Sequence, residues 1–287
     1  MKKPAAAASV GRDAGGPRFE QETRGDLDWL REWAQSSCGI VFTDDKVEQL
    51  RVRVRTMCNQ YALSLPEIRT QVQRGNAKLT LALADAVSTN YTFFLREPEI
   101  FRLLETELFG RLPPGPELRF WSAAAASGDE AYSLAIVAHD YFAGSPMVVK
   151  VLGTDLSQQQ VTLAERGEYS ANQLTLMPEE MRKRWFEPLP RNRWRANRKL
   201  RELCMFRRLN LLGADWPFRQ RFHLIFLRNV LFYFESDVKA ELLRRCHRAT
   251  LPGGYLITSL TEPVTELDTL HNCWERVSPA VYRRANR

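Results

Sequence analysis

Cysteine is scarce here and arranged without a pattern. Five cysteines (Cys38, Cys58, Cys204, Cys246 and Cys273) are scattered with no C-x-x-C pair, which argues against a zinc site or disulfide framework and for a reduced cytoplasmic setting. Histidine is equally thin: His139, His223, His247 and His271 lie far apart with no H-E-x-x-H, so no bound metal is expected. No apolar run approaches the ~18 residues that a membrane span needs. Lys2 and Lys3 precede only Ala5 to Ala8, too short for a signal-peptide core, so neither insertion nor export is expected. Nor does one sign of charge dominate. A net charge of +7 favours acidic partners, but it is too mild to imply nucleic acid. The aromatic-basic interleaving of single-strand binders is also missing, and no internal repeat is visible.

What is present is an ordinary globular composition, 44% hydrophobic and 26% charged over 287 residues, enough for one large domain or two smaller ones. Residues 1–20, rich in Ala, Gly and Pro, read as a disordered leader. Residues 21–90 read as a small all-helical domain. Its second helix, opened by Thr43 or Asp44, repeats Val47, Leu50, Val54 and Met57 at helical spacing, which leaves Lys46, Arg51, Arg53 and Arg55 as a basic outer surface. Residues 91–116 carry a linker and a helix beginning at Glu97-Pro98, and Leu112-Pro-Pro-Gly-Pro116 breaks the chain. Residues 117–287 then alternate strands and helices. The exception is about 184–208, where Arg184-Trp-Phe-Glu and Trp194 to Phe206 read as inserted short antiparallel strands.

The chain is organised around Arg119-Phe-Trp-Ser-Ala-Ala-Ala-Ala-Ser-Gly-Asp-Glu-Ala-Tyr-Ser133: a buried strand, a tight turn and a helix, the opening unit of a doubly wound α/β sheet. Ligands in such sheets sit at the carboxyl ends of the strands. The turn has one glycine rather than G-x-G-x-x-G, and its acids suit hydroxyls or positive charge better than a phosphate. A tightly packed strand-helix turn is the plain alternative. Glu130, Asp155, Asn210 and Asn229 fall at the ends of successive strands, where acids and amides can bind a ribose or an adenine amine.

That distribution looks like the sheet of an S-adenosylmethionine-dependent methyltransferase, Rossmann-like, with a small N-terminal all-helical domain and an inserted antiparallel β subdomain. Five motifs in order, Thr89-Asn-Tyr-Thr-x-x-x-Arg96, Trp121-Ser-Ala…Ser-Gly-Asp-Glu-Ala-Tyr-Ser133, Thr154-Asp-Leu-Ser157, Asn210-Leu-Leu and Ile225-Phe-Leu-Arg-Asn-Val-Leu-Phe-Tyr-Phe234, resemble the chemotaxis receptor glutamate methyltransferases, the CheR family, over residues 27–285. The resemblance implies that Asn90, Thr92, Arg96, Glu130, Asp155, Asn210, Leu211, Arg228 and Asn229 contact S-adenosylmethionine, whose product is S-adenosylhomocysteine. Arg96 and Tyr233 would lie nearest the transferred methyl. Without the family, Tyr233 could be a sheet-edge aromatic and Arg96 a surface partner of Glu99. The family pattern is departed from at Phe94-Leu95-Arg96, at Gly128-Asp-Glu-Ala-Tyr-Ser133, which weakens any role for Asp129, and at Ser259-Leu-Thr-Glu262.

The resemblance further implies a substrate: glutamate side chains on the cytoplasmic helices of methyl-accepting chemoreceptors. Lys46 and Arg53, seven residues apart on one helix face, would dock that partner. The short turn Leu189-Pro-Arg-Asn-Arg193 suggests that no receptor-tail peptide is bound. A cytoplasmic monomer that binds neither nucleic acid nor membrane is expected. The competing readings are a methyltransferase for another substrate, against which the missing Asn/Asp-Pro-Pro-Tyr counts, and a cofactor-binding signalling module without turnover.

Overall fold

A computed structural model describes residues 24–43, 46–88, 92–262, 264 and 273–285; the expected leader and Asn90 lie outside the described residues. Four helices come first: α1 (Arg24–Cys38), α2 (Val47–Tyr61), α3 (Leu65–Gln73) and α4 (Ala77–Val87). Their apolar faces meet in one cluster that includes Leu30, Leu50, Val54, Ile68 and Leu83, all fully buried. Ser64 and Glu67 form a capping box at the start of α3, with Pro66 in its first turn. Thr43 does not cap α2: Lys46 holds the N-cap position without a side-chain cap; the other expected cap, Asp44, lies outside the described residues.

Helix α5 (Pro98–Leu103) runs on through a π turn, Leu104–Leu108, and a 3-10 turn, Phe109–Arg111. The α/β part then follows as β1 (Glu117–Ala123), α6 (Asp129–Tyr141), β2 (Val148–Asp155), α7 (Gln158–Arg166), β3 (Glu168–Ser170), α8 (Glu179–Trp185), β4 (Phe186–Leu189), β5 (Arg193–Ala196), α9 (Arg198–Leu203), β6 (Cys204–Arg208), β7 (Phe222–Phe226), α10 (Ser236–Ala249), β8 (Thr250–Ile257), β9 (Trp274–Ser278) and β10 (Val281–Arg284). The main sheet has seven strands in the order β6-β2-β1-β7-β8-β10-β9. The first five of these neighbours pair in parallel, and β10 runs antiparallel to β8 and β9. Both faces are covered. Phe120, Leu224 and Phe226 pack on one side with α6, while Trp121, Ile225 and Leu227 pack on the other with α10. That is why β7 is buried at every position. The order reverses between β1 and β7, so the crevice at their carboxyl ends is the topological switch point.

The insert differs from its expected shape. The smaller sheet has the order β3-β5-β4, so it begins with a strand at Glu168–Ser170 that precedes the expected span. Trp194 to Phe206 is not a run of strands: Asn197 accepts the Leu200 N–H at 2.9 Å, nucleating α9, and Leu200 is buried. The strand expected to end at Asn210 is β6, which stops at Arg208 and rejoins the main sheet beside β2. Its one buried side chain, Phe206, packs beneath Gly153 and Gly128.

Candidate active site

The turn after β1 is wound tightly onto the end of β2. Ala124, Ala126 and Gly128 take left-handed backbone, with φ of 78°, 45° and 91°. The Ala124 and Ala125 N–H groups donate to the Thr154 carbonyl at 2.9 and 2.8 Å. A Cβ on Gly128 would lie 2.8 Å from Ala164 and 3.0 Å from Phe206, so glycine is required for both conformation and space. The Asp155 carboxylate accepts from the Ala126 N–H and the Ser157 N–H, both at 2.9 Å. Burial pushes its pKa up to about 6, against the pull of those two bonds.

Asp129, whose role the sequence discounted, is fully buried. It accepts from Ser127 Oγ at 2.6 Å and Gln173 Nε2 at 3.2 Å, and burial raises its pKa to about 6. Ser133 Oγ donates to the Asp129 carbonyl at 2.7 Å and accepts the Leu95 N–H at 3.0 Å. Asp129 and Ser133 thus brace the turn against the segment that carries Thr92 and Arg96.

Arg228 is the hub of the polar end. Its side chain is fully buried between two carboxylates, Glu130 at 2.9 Å and Glu97 at 3.4 Å, and Nη2 donates to the Arg96 carbonyl at 2.6 Å. Ser122 Oγ donates to the other Glu130 oxygen at 2.7 Å. Burial raises the Glu130 pKa while Arg228 and Ser122 oppose it. Glu97, itself at φ 59°, also accepts from Ser259 Oγ and from the Leu260 N–H at 2.8 Å. Burial pushes its pKa up, but those bonds and Arg228 hold it below the ordinary value. Asn229, at φ 55°, donates from its amide to Ser259 Oγ at 3.0 Å and from its backbone to Glu262 at 2.8 Å. Glu262 also accepts the Phe232 N–H at 2.9 Å. Sequence reasoning assigned no role to Ser122, Glu97, Ser259 or Glu262. The signal for Glu262 was its place just after a late strand; Glu97 had none, because its partners are remote in sequence.

Two cavities meet at Ala124, Asp155, Val230 and Tyr233. The first is walled mainly by apolar groups, among them Ile40, Leu156, Leu211 and Phe234, with Asn210 at its edge. The second is more polar and holds Thr92, Arg96, Glu130, Arg228 and Asn229. Every expected cofactor-binding residue among the described residues therefore lines one lobe or the other. The amide of Asn210, however, is spoken for: it donates to the Ser37 carbonyl at 3.0 Å and accepts the Leu212 N–H at 3.0 Å, tying the helical domain to the sheet. The Val41 N–H likewise donates to the Tyr233 carbonyl at 3.0 Å. Cys38, at the apolar wall, has its thiol pushed up to about 12 by burial.

Of the expected docking pair, Lys46 holds its ammonium 5.3 and 5.7 Å from the rings of Phe232 and Tyr233. Arg53 is half-buried: it donates to the Ser88 carbonyl at 2.6 Å, and burial lowers its pKa. Ser88 lines the apolar lobe, so Arg53 touches the wall of the site itself. Arg55 alone of the four basic residues is exposed.

Residues 90–277 match the family described as CheR methyltransferase, SAM binding domain. The chain belongs to this family. It is 32% identical over 270 residues to chemotaxis protein methyltransferase 1 of Pseudomonas aeruginosa, covering 91% of this chain and 97% of that protein. It is 30% identical, again over 270 residues, to chemotaxis protein methyltransferase Cher2 of Pseudomonas putida, covering 91% and 98%. A solved S-adenosylmethionine-dependent methyltransferase from Mesorhizobium loti aligns with a TM-score of 0.32 at 20% identity, over 56% of this chain and 52% of that one. Membership makes the chain an S-adenosylmethionine-dependent methyltransferase. The donor set fits that cofactor: an apolar lobe for a base, the buried Asp155 carboxylate at the join, and a polar lobe offering both an acid, Glu130, and a cation, Arg96, to an amino-acid end. Among the described residues no group of three or more His, Cys, Asp or Glu could hold a metal, and no helix is long and apolar enough to cross a membrane.

Proposed function

We propose that the chain transfers a methyl group from S-adenosylmethionine to glutamate side chains on the cytoplasmic helices of methyl-accepting chemoreceptors, forming methyl esters for sensory adaptation. The observation that carries the reading is the two-lobed cavity, with Tyr233 at its join and Lys46 over that ring. The motif residues of this family meet there beside a cation able to attract a carboxylate. When bound, the cofactor supplies an electrophilic methyl on a sulfonium.

An exposed glutamate, with a reference pKa of ~4.3, is already a carboxylate at neutral pH, so the reaction needs no strong base. The work left to the protein is placement and exclusion of water. Arg96 orients a carboxylate rather than activating it, because charge is annihilated as sulfonium and carboxylate become thioether and ester, and over-stabilising either charge would slow the step. Tyr233 offers a hydroxyl and a ring face beside the reacting centre. Thr92, Glu130, Asp155, Leu211, Arg228 and Asn229 contact the cofactor. Asn210 acts by closing the helical domain over it, and Asn90 is retained by family pattern alone. The helical domain is a lid, and Lys46 with Arg53 receives the acidic receptor helices. The turn between Leu189 and Arg193, which pair directly, is too short to offer a tail-binding loop, so action is independent of a receptor tether. The protein works as a cytoplasmic monomer.

The test is transfer of tritiated methyl to receptor-containing membranes, scored as base-labile volatile methanol, with Arg96→Ala and Asp155→Ala beside the wild type. Base-labile label that is lost in both variants is expected. S-adenosylhomocysteine binding without any label on several receptors would instead favour a sensing module.

A further inference from the structure

Residues 214–221 and the end of α10 line another cavity, open to solvent, and none of its lining residues lines either lobe of the active site. Four of those residues are arginines (Arg219, Arg221, Arg245 and Arg248), and the single carboxylate among them is Asp215. Arg248 is engaged from the rim by Glu241 at 3.1 Å, an exposed pair that neutralises little. Arg245 lies with its guanidinium 4.3 Å from the Trp216 ring centre. Its Nη1 donates to the Leu211 carbonyl at 2.9 Å, while Nη2 is buried with no hydrogen-bond partner among the described residues. Nearby, His247 and Arg284 are both held below their ordinary pKa values, by burial first and then by arginine charge: Arg284, Arg221 and Arg248 on His247, and Arg221 on Arg284. Like charges crowded round a concave site repel one another, and a buried donor left unpaired carries a desolvation cost. An anion relieves both. Guanidinium forks match phosphate oxygens bidentately.

The cavity is also wired to the active site. The Leu211 carbonyl accepts from Arg245 Nη1 and from Trp216 Nε1 at 3.2 Å, and Leu211 lines the apolar lobe. Two residues of the arginine-rich wall therefore hold a residue of the cofactor wall.

We propose that this cavity is a second ligand site, taking a small polyanion with two or more phosphate groups, and that its occupancy shifts cofactor affinity through Leu211. The experiment is calorimetric titration of the full chain with inorganic pyrophosphate and, separately, with uridine diphosphate, whose base cannot stand in for the cofactor's adenine. The comparison is the double variant Arg219→Ala/Arg221→Ala, both exposed and outside the active site. One site per chain is expected, weakened by salt and by about tenfold or more in the variant. Equal affinity for the two ligands would mean that phosphate alone is read; tighter uridine diphosphate would mean that a nucleotide is. Saturating pyrophosphate is expected to change the S-adenosylhomocysteine dissociation constant about fivefold or more in wild type and not in the variant. No binding at millimolar concentration, or undiminished binding by the variant, overturns the site; an unchanged S-adenosylhomocysteine constant overturns the linkage. Because the readout is binding, its failure is separate from any failure of methyl transfer.

Discussion

Arg228 shows how a single residue in this site serves two purposes. It faces the cofactor lobe, yet its two terminal nitrogens are committed to Glu130, Glu97 and the Arg96 carbonyl. Removing it leaves two largely buried carboxylates without their counter-charge, which typically costs about 3–5 kcal/mol. Arg228→Met is therefore expected to lower stability by that order in urea unfolding; a loss under about 1 kcal/mol would mean that the acids find other partners. A second residue-scale expectation concerns Asp129 and Asp155. Burial raises both from 3.8 to about 6, so the folded state binds more protons than the unfolded chain between those values. Their stabilising contribution is full below about pH 3.8 and is lost as pH rises through about 6. Asp129→Asn removes one such group, and its melting temperature is expected to fall less than that of the wild type between about pH 4 and pH 7. Identical pH slopes would show that Asp129 does not titrate there. Asp129 itself marks a limit of reading by motif: the sequence showed an acid out of pattern, but not the brace it makes with Gln173, forty-four positions away.

Among the elements, the segment between α1 and α2 does the most to shape the site. Gly39 has φ 71°, and a Cβ there would lie 2.0 Å from Leu212. This glycine lets the helical domain approach the loop carrying Asn210 and Leu211. Gly39→Ala is expected to force that contact apart, cost about 1–3 kcal/mol and weaken S-adenosylhomocysteine binding, as read by thermal melting and calorimetry. Unchanged affinity would mean that the domain closes without Gly39. Strands and helices of the sheet were legible because their buried faces impose clear periods, as in β1 and β7. The insert was not. In Trp194 to Phe206 the apolar residues are too few to distinguish a strand from a short helix, and the Asn197 cap settles the matter locally.

For the whole molecule, the question is how a mildly basic chain presents charge to an acidic partner. Lys46 sits at the mouth over Tyr233, whereas Arg53 is drawn into the wall, and the two are expected to behave differently. Lys46→Glu should reduce methyl transfer to receptor membranes by about tenfold or more through like-charge repulsion and leave S-adenosylhomocysteine binding nearly unchanged. Arg53→Ala should weaken both, because it frees Ser88 at the cofactor wall. Transfer should also fall with added salt, since screening acts over ~8 Å under physiological conditions. Equal loss of cofactor binding in both variants would remove Lys46 from the docking role.

The sequence by itself determined the α/β class, the helical domain before it, the family, and the strand-end positions of Glu130 and Asp155. All of these depend on local periodicity or on motifs contiguous in the chain. Only the tertiary structure decided that Arg228 would be shared by Glu97 and Glu130, that Asn210 would be tied to Ser37, that Arg53 would turn inward, and that Glu262 would hold the Asn229 loop. Each of those outcomes depends on partners between about thirty and 173 residues apart. Burial set their geometry, because polar groups removed from water must find donors and acceptors wherever the fold brings them.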